Sequence, residues 1–445
     1  MDRLFGTDGI RAVAGKYPLD YSTIYKIGKN LTDLLRQKNQ SPRILLGQDT
    51  RSSGKWIQQA LFQGIRDSKG EAVSAGVIPT SAVAVLSKIK SFSSGIMISA
   101  SHNPYEYNGI KIFSSKGIKI KDDFEQELEK NIIKSKDKII PSSSEPLTDN
   151  DLKNEYIQFI KSKFASENFL KDIKVVIDCA NGTSSDIAPN IFSELGFNTV
   201  PINAEPNGKN INSNCGSLFP NKLAHKVLET KADMGIAYDG DSDRAIFIDE
   251  KGKVLNGDHT LFILSKYMKE KGLLNSNKIV GTVMSNLGLE KALKAMGLQL
   301  IRSDVGDKYV YDEMIKQESN LGGEQSGHTI LLDECPTGDG ILTSLKIIQI
   351  MILKNCPLSD LCKGFHEHPQ VQKNIKVSRK EDFSHYPGIM SALKKAEQEL
   401  SGKGRIKVRY SGTEPLARVM IEGENKQEIE NLAQMISKSI SKELK

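Results

Sequence analysis

Three carboxylates fall within five residues at Asp239-Gly240-Asp241-Ser242-Asp243, and Arg244 follows them. Oxygen donors at this density suit a hard cation, Mg²⁺ or Ca²⁺, and without one the three anions repel each other. Asp239, Asp241, Asp243 and Glu250 also match the acid positions of an EF-hand loop. Where that loop needs glycine for its sharp turn, this chain has Arg244, and the flanks Met234–Tyr238 and Ala245–Ile248 read as strands rather than helices. Three protein carboxylates with an open coordination position then favour a catalytic Mg²⁺ completed by a phosphate oxygen. A solvated acidic turn, partly neutralised by Arg244, is the bland alternative.

A second candidate is Ile98-Ser99-Ala100-Ser101-His102-Asn103-Pro104, where an apolar run opens into small and capping residues. Such a loop can present the Ser101 hydroxyl at a helix N-terminus, where free N–H groups and the dipole favour phosphate. It can equally be a plain helix cap. A Ser–His hydrolase is argued against on two grounds. Ser101 and His102 are sequence neighbours, a spacing that rarely gives proton-transfer geometry, and no GxSxG elbow occurs. Gly322-Gly323-Glu324-Gln325-Ser326-Gly327-His328 is a glycine-bracketed polar loop in which Glu324 and Ser326 suit vicinal sugar hydroxyls. Arg409-Tyr410-Ser411-Gly412-Thr413-Glu414-Pro415, with Arg418 beyond it, offers two arginines, two hydroxyls and the approachable backbone of Gly412. That set makes a dianion cradle or, failing a phosphate, a surface turn. Arg11, Lys111 and Lys308 stand on glycine-containing turns. Beside the serine and the carboxylates they are candidate positive groups for phosphoryl transfer.

The elements that must position these loops repeat. Strand Arg43–Asp49, helix Trp56–Asp67 and strand Ala72–Val77 form one unit. Lys174–Asp178, Ser185–Leu195 and Thr199–Ile202 form a second, and Lys278–Val283, Leu287–Ala295 and Leu298–Arg302 a third. In each, a short β-branched run gives way to a turn and an amphipathic helix, which predicts βαβ units and a mixed, mostly parallel sheet under helices. Beyond Cys356-Pro357 the pattern changes to strand Asn374–Val377, helix Gly388–Leu400, strands Arg405–Tyr410 and Ala417–Glu422, and helix Lys426–Lys438. This order predicts a smaller α+β domain with an antiparallel sheet.

Bulk properties narrow the partners. The 61 basic and 55 acidic residues leave a net charge of +6, too weak for a nucleic-acid protein, and 6% aromatics supply little for base stacking. Mild positive charge suits anionic ligands. The cysteines, Cys179, Cys215, Cys335, Cys356 and Cys362, are odd in number and form no CxxC, which argues for free thiols and against a thiolate metal site. The first residues lack an apolar signal core, and the most apolar run, Ile347–Leu353, is too short to span a bilayer. A cytoplasmic protein acting on a small molecule is the expectation.

Taken in order, the serine loop at Ala100–Pro104, the metal loop at Asp239–Arg244, the sugar loop at Gly323–His328 and the phosphate loop at Arg409–Arg418 resemble the four signatures of the α-D-phosphohexomutases. The resemblance implies three related mixed-sheet α/β domains and a smaller C-terminal α+β domain around a central cleft, with boundaries at 1–150, 151–254, 255–365 and 366–445. Phe5–Arg11, Asp304–Tyr309 and Gln325 in the sugar loop are most similar to the branch acting on glucosamine phosphates, whereas Tyr410 and Ala12 are less typical. That branch implies interconversion of glucosamine 6-phosphate and 1-phosphate through a phosphoserine and a 1,6-bisphosphate, for UDP-N-acetylglucosamine and cell-wall precursors. Other implications are one Mg²⁺ on Ser101, Asp239, Asp241 and Asp243, a hexose 1,6-bisphosphate activator, and a homodimer. Arg11, Lys111, His102 and His328 become candidates for charge stabilisation and proton transfer. Arg244, Lys308, Glu324, Ser326, His328, Arg409, Ser411, Gly412, Thr413 and Arg418 become candidates for binding the phosphosugar. A glucose- or mannose-phosphate mutase and a phosphosugar phosphatase are the alternatives.

Overall fold

The computed structural model of the chain describes residues 4–6, 8–38, 40–136, 139–164, 172–411 and 415–444. The first sheet comprises β1 (Ile10–Val13), β2 (Arg43–Gln48), β3 (Glu71–Val77), β4 (Ser94–Ile98), β5 (Tyr107–Ser114) and β6 (Leu147–Thr148), ordered β1-β5-β4-β2-β3-β6. The second has β7 (Lys174–Asp178), β8 (Asn198–Ile202), β9 (Met234–Tyr238), β10 (Ala245–Asp249) and β11 (Val254–Leu255), ordered β11-β10-β9-β7-β8. β12 (Lys278–Thr282), β13 (Gln299–Ser303), β14 (Leu321–Gly323) and β15 (Thr329–Leu331) make the third, ordered β13-β12-β14-β15.

One plan underlies all three sheets. The opening strand of each unit (β2, β7, β12) lies between the second strand and the third. The third strand (β4, β9, β14) pairs with it in parallel. It then returns through a hairpin into an antiparallel fourth strand (β5, β10, β15). Parallel pairing needs a crossover of a dozen or so residues, so a short loop allows only antiparallel return. The mostly parallel expectation therefore holds for the βαβ part of each unit, and the hairpin strand is its exception. All three hairpin loops are signature loops.

Alternation along the strands builds the first core. Ile44 and Leu46, Ile96 and Ile98, and Ile110 and Ile112 face Ile24, Ile27, Leu31, Ile57 and Leu61 on the covering helices. Two-residue spacing puts Lys111 on the opposite face of β5 from Ile110 and Ile112. The fourth sheet is antiparallel: β16 (Gln370–Lys376), β17 (Arg405–Tyr410) and β18 (Leu416–Glu422), ordered β16-β18-β17. Its core joins Ala417, Val419 and Ile421 to Ile429, Leu432, Ile436 and Ile440, a helical stripe on Lys426–Leu444.

The chain divides into two compact units, Met1–Met284 with Leu300–Lys363, and Ser285–Gln299 with Gly364–Lys445. Ser285–Gln299 is thus grouped apart from the rest of the third repeat. Its Asn286 side chain donates to the His368 carbonyl at 3.0 Å and accepts the His368 N–H at 2.9 Å. No helix of the described residues is long and apolar enough to cross a membrane.

Within the first unit, buried Tyr156 donates to Asp339 Oδ2 at 2.8 Å and lies 3.2 Å from Ser81 Oγ. Asp339 caps helix Gly340–Lys354 through Leu342 N–H at 2.9 Å. Tyr156→Phe should leave a buried carboxylate oxygen short of a donor and cost about 1–3 kcal/mol. A lowered urea midpoint is the expected reading; an unchanged one would show the hydroxyl to be dispensable.

Candidate active site

The serine loop joins β4 directly to β5, and no helix follows it, so Ser101 does not sit at a helix N-terminus. Ser101 adopts a left-handed backbone at φ 52° and is 1% exposed. Its Oγ donates to Asp239 Oδ2 at 2.6 Å. Contrary to the expectation for sequence neighbours, Oγ also lies 3.3 Å from His102 Nδ1. A left-handed residue turns the chain sharply enough to bring consecutive side chains together. Burial, then the charges of Arg244 and Arg11, push His102 down to about 4, so its ring is neutral at physiological pH.

Asp239, Asp241 and Asp243 occupy the β9–β10 hairpin, and strands flank it on both sides, as an EF-hand would not allow. One oxygen from each lies within 4.8 Å of the others, and all three residues are buried, which removes the solvated-turn reading. Ser242, left-handed at φ 59°, bends the loop; its Oγ is 2.8 Å from Thr183 Oγ1 and its carbonyl accepts Gly340 N–H at 2.9 Å. Lys111 reaches Asp241 Oδ2 at 2.8 Å, Asp243 Oδ2 at 3.2 Å and Asp8 Oδ2 at 3.4 Å. Burial alone would strip the Lys111 proton, but Asp241, Asp243 and Asp8 outweigh it and hold the ammonium charged well above the usual lysine range. Burial, joined by Asp243 and Asp241, pushes the Asp239 carboxyl well up. Asp241 stays low despite burial because Lys111 faces it, with Thr80 Oγ1 donating at 2.5 Å.

Asp241 Oδ1 and Asp243 Oδ1 are buried and accept no hydrogen bond from the described residues. Unsatisfied buried carboxylate oxygens in a hard-donor cluster fit a divalent cation. Arg11 donates to Asp8 and, at 3.4 Å, to the Ala100 carbonyl and Asn103 Oδ1. Arg244 Nε lies 3.8 Å from Asp243 Oδ1. A hydroxyl, three carboxylates and three flanking cations thus meet in one cluster, a set of groups able to offset charge on a phosphoryl group.

The sugar loop adjoins the metal loop through a backbone bridge between Arg244 and His328 and an Ala245 N–H bond to the Gly327 carbonyl at 3.2 Å. Gly327 is left-handed at φ 98°, and a Cβ there would lie 2.5 Å from the Ala245 carbonyl oxygen. A Cβ on Gly257 would fall 1.9 Å from the Glu324 carbonyl oxygen, so helix Gly257–Glu270 can approach the loop only as glycine. Glu324 accepts Gly306 N–H at 2.9 Å and Ser326 Oγ–H at 3.2 Å. Gln325 turns to Asp258, donating at 3.3 Å. Neither ring nitrogen of buried His328 has a hydrogen-bond partner among the described residues, and Nε2 is 4.0 Å from Asp307 Oδ2. Lys308 pairs with Asp122 and Glu125, on the wall of a 400 Å³ cavity that Lys119, Asp307 and Thr337 also line.

In the second unit, Arg409 and Arg418 face each other across β17 and β18. Arg418 Nη2 donates to Ser411 Oγ at 3.4 Å, and Lys380 Nζ to the Ser411 carbonyl at 2.7 Å. Tyr410 stacks on Phe383 with centroids 4.4 Å apart. Gly412 and Thr413 lie outside the described residues.

Sequence reasoning passed over Asp8, Asp49, Arg51, Thr80, Lys119, Asn212, Asp307 and Lys380. For Asp49 and Arg51 a signal existed: charge at the carboxyl end of an apolar strand, where open α/β sheets place ligands. Lys119, paired with Asp8 and Asp307, had none.

Models of the phosphoglucomutase/phosphomannomutase family match the chain in four pieces. Its alpha/beta/alpha domains I, II and III match residues 2–138, 154–252 and 256–368, and its C-terminal domain matches 372–439. A phosphoglucosamine mutase of Koribacter versatilis is 44% identical over 447 residues, covering 98% of this chain and 96% of the relative. Among solved structures, a phosphoglucomutase/phosphomannomutase family protein from Burkholderia thailandensis superposes with a TM-score of 0.81 at 21% identity, covering 99% of this chain and 97% of that one. Aspergillus fumigatus N-acetylphosphoglucosamine mutase, solved with GlcNAc-6P and magnesium, gives 0.69 at 16% identity, covering 99% and 95%.

Titrating Mg²⁺ into the metal-free chain should raise its unfolding temperature, since a ligand bound only by the folded state adds about 2.7 kcal/mol at a hundredfold excess over Kd. Asp243→Asn should lose most of that gain. An equal gain in both proteins would place the cation elsewhere.

Proposed function

The chain belongs to the phosphoglucomutase/phosphomannomutase family, and we propose that it is a phosphoglucosamine mutase that interconverts glucosamine 6-phosphate and glucosamine 1-phosphate. Membership makes it an enzyme of the isomerase class that works by phosphoryl transfer. The observation that carries the reading is Ser101 Oγ, 2.6 Å from Asp239 at the edge of the carboxylate cluster. Full-length identity above 40% to a phosphoglucosamine mutase supports the choice of sugar.

In this reading Ser101 carries the phosphoryl group between turnovers. A Mg²⁺ held by Asp239, Asp241, Asp243 and a phosphoserine oxygen would supply charge stabilisation at the phosphoryl group. Arg409, Ser411 and Arg418 bind the phosphate that is not being transferred, while Glu324 and Ser326 hold ring hydroxyls. O1 of glucosamine 6-phosphate attacks phosphorus, the P–Oγ bond breaks, and a 1,6-bisphosphate forms. After the intermediate reorients, Ser101 Oγ takes the 6-phosphoryl group and glucosamine 1-phosphate leaves. Lys111, Arg11 and Arg244 offset the charge that develops at the transferring group. In the same reading His102, kept neutral by burial and its cationic neighbours, and His328 take or return the hydroxyl proton. A hexose 1,6-bisphosphate would rephosphorylate a serine that had lost its group. Action in the cytoplasm, a homodimer and a role in cell-wall precursor synthesis complete the proposal.

The decisive assay follows glucosamine 6-phosphate with Mg²⁺ and a trace of hexose 1,6-bisphosphate, beside glucose and mannose 1-phosphates. Strong preference for the amino sugar is expected; preference for either other sugar would make this a glucose- or mannose-phosphate mutase. Ser101→Ala should fall to background turnover with its fold intact, and an active variant would remove the phosphoserine.

A further inference from the structure

Behind the serine loop lies a buried ion pair that the reaction scheme does not use. Asp49 follows β2, and Arg51 Nε pairs with its Oδ2 at 2.8 Å; both side chains are completely shielded from solvent. Apart from Asp49, the Arg51 guanidinium donates to main-chain oxygens of one loop. Nη2 reaches the Ser101 carbonyl at 2.9 Å and that of Asn103 at 2.8 Å, and Nη1 reaches that of Pro104. The loop after β8 in the second repeat adds Asn212, itself left-handed at φ 57°, whose Nδ2 donates to the same Ser101 carbonyl at 2.9 Å and to that of Asn103 at 3.1 Å. Asp49 Oδ2 accepts Ser99 Oγ–H at 2.6 Å, and Ser99 Oγ accepts the Ser101 N–H at 2.9 Å. Ser101 is therefore gripped at both ends, its N–H through Ser99 and its carbonyl by two side chains from different repeats.

A buried ion pair kept only for stability needs a partner for its charge. It does not need a guanidinium fork shared among three consecutive-loop carbonyls, nor a second donor from another domain on the same oxygen. Left-handed backbone is unfavourable for serine, and it persists where surroundings over-determine it. We propose that Arg51 and Asn212 are positioning residues for phosphoryl transfer: they clamp the Ser101 carbonyl and so hold the left-handed conformation that aims Oγ at Asp239. Asp49 orients the fork. The proposal rests on the reading of Ser101 as the phosphate carrier. It accounts for Arg51 reaching Ser101, Asn103 and Pro104 but no group of the carboxylate cluster.

Two variants separate positioning from stability. Asn212→Gly removes the amide donor but keeps a residue at home in left-handed backbone. Arg51→Lys keeps a charge beside Asp49 but loses the fork. For each, kcat and KM are measured, with phosphate occupancy of Ser101 by mass spectrometry and the ³¹P resonance of the phosphoserine. Misplacement of a reacting group by about 1 Å costs about 10²-fold in rate. A fall in kcat of roughly 10- to 100-fold at unchanged KM, with a shifted ³¹P resonance, is expected. A purely structural pair would lower the unfolding temperature and leave kcat and the resonance of the folded enzyme where they were, which overturns the clamp. Should Arg51→Lys fail to fold, Asn212→Gly decides alone. Wild-type enzyme that gains no phosphate on Ser101 after incubation with hexose 1,6-bisphosphate overturns the phosphoserine and the clamp together; phosphorylated wild type with indifferent variants overturns the clamp only.

Discussion

Three carboxylates packed within 4.8 Å and out of water are the constraint that organises the first unit. Two unit charges about 4 Å apart interact by about 4 kcal/mol at an effective dielectric of 20, and no isolated loop could bear three such anions. Compensation comes from several elements at once. Lys111 arrives because β5 alternates, with Ile110 and Ile112 in the core and the lysine between them on the other face. Thr80 arrives at the start of a helix whose own N–H meets the Asp241 carbonyl at 3.0 Å. Arg244 is continuous with the cluster, and Arg11 reaches it from the N-terminal strand by way of Asp8. Even so, two carboxylate oxygens of the cluster have no donor among the described residues, an imbalance that a divalent cation would offset.

The same constraint explains the backbone. Ser101 and Ser242 are non-glycine residues with positive φ, and Gly327 has positive φ in the sugar loop. Each loop must fold back within a few residues to join an antiparallel strand while presenting its polar groups beyond the sheet edge. Helix starts and neighbouring hairpins absorb the cost. Thr183 and Gly340 hold Ser242, while Ala245 holds Gly327. Order in the site is thus a property of contacts between repeats more than of any one loop.

Much of this was legible in the chain. The β-branched runs and amphipathic helices were placed within a few residues, because period two and period 3.6 survive in a local window. The carboxylate loop was legible because its density admits few uses. Long-range partners were not. Thr80 meets Asp241 across 161 residues and Asn212 meets Ser101 across 111, and a lone threonine or asparagine carries no mark of such an encounter. The Ser101–His102 approach failed as an expectation for a different reason: it depends on one dihedral angle, which residue type did not announce. The helix expected after Ser101 failed because small capping residues serve a hairpin as well as a helix start. Lys308, a candidate positive group in the sequence, pairs with Asp122 and Glu125, acids far off in the chain that residue type could not announce.

The recurring hairpin fixes an address rather than a chemistry. The serine, carboxylate and sugar loops stand at one topological position in three copies of one strand plan. Because the paired strands set where each hairpin ends, the residues of a loop can change without moving that position. One plan therefore carries three different sets of polar groups, each free to differ from the other two.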